Sequence, residues 1–132
     1  MINKLPKPVA RMKLLTQEII NSIPPLYSQE KLGDAAKVVV KFFNPCGSGT
    51  WYITEGNPIV VRNGETIELD GGVKEIQPTD ELVDFRFFGL CELHEAELGY
   101  VMYSELATVR LNMGLGIERD MHFNNKTIAN CR

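Results

Sequence analysis

The chain predicts an α+β domain: a mainly antiparallel sheet of four to six strands with two short helices. Three observations carry this. Period-two apolar runs fill the middle of the 132 residues. The connections between them are short and carry hairpin chemistry, in Asn44-Pro45-Cys46-Gly47-Ser48-Gly49 and in Asn63-Gly64. Helix start and stop signals occur at two places, residues 16–25 and 104–110.

In chain order, residues 1–13 hold Lys4, Lys7, Arg11 and Lys13 and no acid, and read as a flexible basic tail. Thr16 is an N-cap, with Leu15 and Ile20 placed as a hydrophobic staple and Glu18 in the first turn, where the helix dipole favours an anion. Leu15, Ile19 and Ile23 share a face, and Pro24-Pro25 ends the helix. Two turns of helix are unstable alone, so this helix must dock. After a polar link over 27–34, residues 37–43 predict a strand with Val38, Val40 and Phe42 on one face. Residues 50–55, rich in aromatic and β-branched side chains, are its hairpin partner. Residues 57–84 read as an acidic elaboration, built on a hairpin in which 59–62 and 65–69 flank Asn63-Gly64.

Residues 85–92 and 97–103 predict a second hairpin, with its turn near Leu93-His94-Glu95. Ser104 caps a second helix through Arg110, residues 117–123 form a last strand, and 124–132 are a C-terminal tail. The result is a single domain over 14–123.

Composition narrows the class. An apolar fraction of 44% and a charged fraction of 23% are those of an ordinary globule. No apolar run approaches the ~20 residues of a membrane span, and the N-terminus lacks the apolar core of a secretory leader. Cys46, Cys91 and Cys131 are odd in number and widely spaced, which argues against a disulfide framework or a zinc site. A cytoplasmic location is expected. The net charge of −3 hides a polarity: residues 1–13 carry +4, and residues 55–97 set eleven acids against Arg62, Lys74 and Arg86. Four basic charges give a weak nucleic-acid footprint, and the aromatics Phe42, Phe43, Trp51, Tyr52, Phe87, Phe88 and Tyr100 read as core before they read as a stacking platform.

The chemistry-bearing residues gather late in the chain. On a straight strand Glu118, Asp120 and His122 face one way, two carboxylates and an imidazole that match a hard-metal or non-haem iron ligand set. The competing reading is a polar outer face in which Arg119 pairs with a carboxylate. Glu92, His94, Glu95 and Glu97 form a second cluster at a hairpin end. Cys46 and Ser48 lie in a glycine-rich loop without the spacing of a nucleophile elbow or a phosphate-binding loop. No catalytic residue is identified, and no cofactor is expected. Glu97, Tyr100, Glu118, Arg119, Asp120 and His122 are the candidate interaction surface.

The ordered segments Leu14-Leu15-Thr16, Pro24-Pro25-Leu26-Tyr27-Ser28-Gln29-Glu30, Val40-Lys41-Phe42-Phe43-Asn44-Pro45, Thr50-Trp51-Tyr52-Ile53-Thr54-Glu55-Gly56, Phe87-Phe88-Gly89-Leu90, Glu97-Leu98-Gly99-Tyr100, Ser104-Glu105-Leu106 and 117–123 resemble an uncharacterised bacterial family, the domain-of-unknown-function family numbered twenty-nine fifty-eight. The resemblance runs from about Leu14 to Phe123, with residues 57–84 longer than or different from the usual link. It implies a plasmid, integrative-element or phage context and brings no activity, cofactor or catalytic residue. The expectation is therefore a non-enzymatic accessory protein of a mobile element that binds a host or element-encoded protein. Self-association, nucleic-acid binding, inhibition of a host defence nuclease and a metal-dependent enzyme built on Glu118, Asp120 and His122 are the alternatives. No membrane partner is expected.

Overall fold

A computed structural model describes residues 12–132. The expected tail at 1–13 thus lies, for residues 1–11, outside the described residues, whereas Met12 is buried in the core. The protein is α+β. Its main sheet has six antiparallel strands: β2 (Val40–Phe43), β3 (Thr50–Arg62), β4 (Glu65–Glu68), β5 (Glu81–Glu92), β6 (Ala96–Met102) and β7 (Glu118–Arg119). The spatial order is β6-β5-β3-β2-β7, with β4 hairpinned onto the far end of β3. A second, two-stranded sheet joins β1 (Lys37–Val38) to β8 (Lys126–Thr127). Three short helices, α1 (Gln17–Ser22), α2 (Tyr103–Ala107) and α3 (Ile128–Cys131), complete the fold with 3-10 turns between them.

Residue alternation gives the main sheet two unlike faces. On the first face Phe42, Ile53, Val60, Leu82, Phe85 and Phe87 build the main core. Phe85 stacks on Phe87 at 5.4 Å between ring centroids, and Phe42 lies 6.0 Å from Phe87. Ile20 and Ile23 from the α1 segment and Tyr103 and Leu106 from α2 cover this face. The staple pair Leu15 and Ile20 is buried, and Thr16 Oγ1 accepts the N–H of Ile19, so the helix starts where its cap dictates. On the second face a smaller core of Ala36, Val38, Leu90 and Ile128 occupies one end only.

Four local expectations are corrected. Val38 does not share a face with Val40 and Phe42, because Val39 donates to the carbonyl of Ile53 while Val40 is its register partner; two residues thus oppose one, a bulge that reverses the alternation. Gly56-Asn57-Pro58 does not end a strand, and β3 runs through it for 13 residues. Ser104 is not the cap of α2, which begins at Tyr103; Glu105 accepts the N–H of Met102, and Asp84 accepts that of Ser104. Residues 124–132 are not a loose tail, because α3 buries Ile128 against Ala36, Val38 and Leu90.

The passage of β3 through Pro58 has a simple cause. On one side β3 is paired with β5 along its length, but on the other β2 ends opposite Ile53 and β4 begins at Ile59. The gap is filled by residues 24–29. Gly56 donates its N–H to Pro24 across it, and Pro58, two residues on, has its missing donor on the same side.

Candidate functional site

The second face of the sheet holds the polar centre of the molecule. After a register shift at Ile53/Glu55, β3 presents Glu55 and Asn57 to this face, opposite Phe88 and Arg86 of β5. Tyr100 of β6 stands beside Phe88, with ring centroids 5.1 Å apart. Glu68 arrives from β4, and Leu26 and Tyr27 from the segment that plugs the gap. Leu26, Tyr27, Asn57, Glu68, Asp70, Arg86 and Tyr100 line an open pocket of about 360 Å³.

Each wall of the pocket is held by specific bonds. Glu55, only 3% exposed, accepts the backbone N–H groups of Tyr27 at 3.0 Å and Gln29 at 2.6 Å. Asn57, also buried, accepts the N–H of Leu26 at 3.0 Å and donates to Glu68 Oε2 at 3.0 Å. Glu68 Oε1 takes Arg86 Nε at 2.9 Å, and this bond, before its coulombic attraction, raises the Arg86 pKa. Among the described residues Asp70 has a single, long contact, 3.5 Å from Asn57 Nδ2. At the rim the two phenols meet, Tyr100 Oη donating to Tyr27 Oη at 3.1 Å. That bond is the first cause, ahead of burial and the nearby Glu30 and Glu55 carboxylates, of a raised Tyr100 pKa.

Tyr27 carries a backbone φ of 73°, the left-handed region that a bulky residue enters at a cost of about 1–2 kcal/mol. Yet its ring is 62% exposed and Tyr100 is 51% exposed. A strained residue whose side chain is left in solvent gains nothing for the core.

The residues expected to act together are not brought together. Glu97 pairs with Cys91, Cys91 with Trp51, Trp51 with Phe42 and Phe42 with Arg119, so Glu97 and Arg119 stand on opposite edges of the sheet, four strand spacings or roughly 19 Å apart. Within β6, Glu97 and Tyr100 point to opposite faces. His94 sits in the β5–β6 turn, and Glu92 is three strands from Glu118 through Thr50 and Phe43, roughly 14 Å. The face expected for Glu118, Asp120 and His122 is interrupted, since β7 ends at Arg119. Asp120 bonds the N–H of His122 and pairs with Lys41 at 3.4 Å, Arg119 donates to the carbonyl of Leu14, and Glu118 is exposed. The His122 N–H first, and Lys41 with it, hold the Asp120 carboxyl below the usual carboxylate range. Among the described residues no three His, Cys, Asp or Glu side chains are placed to hold one metal ion. The cysteines are unpaired, and burial pushes the Cys91 and Cys131 thiols up.

Of the expected surface, Tyr100 alone lies at the polar pocket. Tyr27, Glu55, Asn57, Glu68, Asp70 and Arg86 were not singled out by sequence reasoning. A signal was there: Glu55 and Asn57 are polar residues at i and i+2 in the middle of a strand rich in aromatic and β-branched residues.

Comparison with known proteins bears on a segment of less than half the chain, the one that carries β5 and β6. Residues 72–130 match the profile of a family described as Protein of unknown function (DUF2958). The match is narrower than the resemblance over 14–123, beginning after β4, and it runs on into α3. It includes Arg86 and Tyr100 and leaves out Tyr27, Glu55, Asn57, Glu68 and Asp70. No protein of curated function and no solved structure is significantly similar to the chain. Among the described residues no helix is long and apolar enough to cross a membrane.

Proposed function

We propose that this protein is a protein-binding module that meets its partner with the second face of its sheet, centred on Tyr27 and Tyr100. The observation that carries the reading is the pair itself. A buried carboxylate, Glu55, holds Tyr27 in a left-handed backbone, and the two half-exposed phenols are joined at 3.1 Å. Tyrosine is enriched at recognition surfaces because a large, stiff ring loses little conformational entropy on contact. Phe88 beneath Tyr100 and the exposed Leu98 two residues along β6 extend the apolar part of the surface. The family resemblance supports a role as an accessory protein of a plasmid, integrative element or phage, with a host or element-encoded partner.

The test is affinity capture from a host lysate with wild type and a Tyr27→Gly/Tyr100→Ala variant matched for melting temperature. A stoichiometric partner held by the wild type and lost by the folded variant is the expected result. Equal capture by both overturns the assignment of the surface.

A further inference from the structure

We propose that the pocket beneath the Tyr27–Tyr100 pair receives a cationic side chain of the partner, an arginine or lysine, with Asp70 as its counter-charge. This rests on the protein-binding reading and names what that surface holds.

The charges in the pocket do not balance. Glu68 and Asp70 face one guanidinium, that of Arg86, and Arg86 Nε is committed to Glu68. Asp70 is the surplus carboxylate. Among the described residues it has no ion pair, and its only bond is the long one to Asn57 Nδ2. Asn57 cannot turn to serve it better, because its oxygen is bound to the N–H of Leu26 and its amide nitrogen to Glu68. An anionic guest would meet two carboxylates to reach Arg86. A cation completes Asp70 and finds the electron-rich rings of Tyr27 and Tyr100 at the rim, a favourable contact for ammonium and more so for planar guanidinium. The wider surroundings agree: residues 55–97 contain eleven acids against three bases. Such a field draws a basic partner and speeds encounter.

The experiment titrates the isotopically labelled full chain with N-acetyl-arginine methylamide and, as the neutral control, N-acetyl-norleucine methylamide, following amide chemical shifts. The arginine compound is expected to give saturable shifts confined to residues 26–27, 57, 68–70, 86 and 100, with at least tenfold weaker binding in Asp70→Asn. Asp70 is exposed, so that variant keeps the fold. The proposal is overturned if the arginine compound leaves these residues unmoved, if the norleucine compound moves them equally, or if Asp70→Asn binds like wild type. Should either of the first two occur while the tyrosine variant still loses the captured partner, the cation falls and the protein-binding reading stands. Capture that survives loss of both tyrosines overturns the assignment of the partner surface, whatever the arginine compound does.

Discussion

Glu55 and Tyr27 are 28 residues apart in sequence, and the buried carboxylate of one accepts the backbone N–H of the other at 3.0 Å. The same carboxylate takes the N–H of Gln29, whose side-chain amide in turn bridges Lys37 and Thr54. One acid thereby fastens the plug segment to the open stretch of β3. Truncation in Glu55→Ala strands two backbone donors, each costing about 1–3 kcal/mol when buried. A loss of about 2–4 kcal/mol in urea unfolding is expected. A change below 1 kcal/mol would show that water serves these donors equally well.

Tyr27→Gly separates fold from recognition. Glycine accepts φ of 73° freely, which relieves the left-handed strain, while the unfolded chain gains entropy. The two effects oppose each other, so stability should stay within about 1 kcal/mol of wild type. Partner capture should fall at least tenfold. Calorimetric melting and a binding isotherm on the same sample check both halves.

Asp80 gives the protein an acid-sensitive brace. Its carboxylate is 3% exposed and accepts from Arg62 Nε at 2.7 Å, from Arg62 Nη2 at 2.6 Å and from the N–H of Gln77 at 2.8 Å. The Arg62 bonds, opposed by burial and assisted by Gln77, hold its pKa below the ordinary value. A carboxyl with a folded pKa under its unfolded value of about 3.9 binds fewer protons folded than unfolded. Its stabilisation is therefore complete above that value and is lost as pH falls through the folded pKa. Urea midpoints measured from pH 5 down to pH 2.5 should decline less steeply in Asp80→Asn than in wild type; parallel curves would remove Asp80 from the account.

Gly89 is required by the close approach of β5 to β3. A Cβ there would overlap the carbonyl oxygen of Tyr52 and sit 2.8 Å from its carbon and 2.9 Å from Ile53 Cα. Backbone cannot give way as a side chain can, so Gly89→Ala should cost about 3 kcal/mol or leave the protein unfolded. Circular dichroism of the purified variant is sufficient to judge it.

Ile128 is 1% exposed although it lies four residues from Arg132. Ile128→Ala should cost about 2–4 kcal/mol by leaving a cavity against Val38 and Leu90. A cost under 0.5 kcal/mol would mean that α3 is only loosely attached.

The sheet was legible because its strands are strongly β-branched and aromatic and its turns carry Asn63-Gly64 and the run 44–49. The first helix was legible from Thr16, the staple and the double proline. The bulge at Val39-Val40 was not, since no residue type announces two donors opposite one carbonyl. The strand expected over 50–55 runs on through Pro58, and only the gap between β2 and β4, a tertiary fact, lets a proline sit there. The pocket was hidden for a related reason. Tyr27, Asp70 and Tyr100 belong to three segments, and their meeting depends on where the plug lies on β3. The cluster at Glu118, Asp120 and His122 was conspicuous in sequence because the three are close together, whereas in space Asp120 is engaged by Lys41 and a local turn and Glu118 is exposed.

The pairing of β1 with β8 joins residues 37–38 to residues 126–127, and Ile128 donates its N–H back to Ala36. During synthesis these partners are separated by nearly the whole domain. The smaller core therefore stays open until residues 126–128 have been made, and Val38 and Leu90 remain uncovered until then. A chain cut short before Ile128 lacks the side chain that covers Val38 and Leu90. Exposed apolar surface of that kind draws chaperones and proteases, so α3 works as a seal on the smaller core.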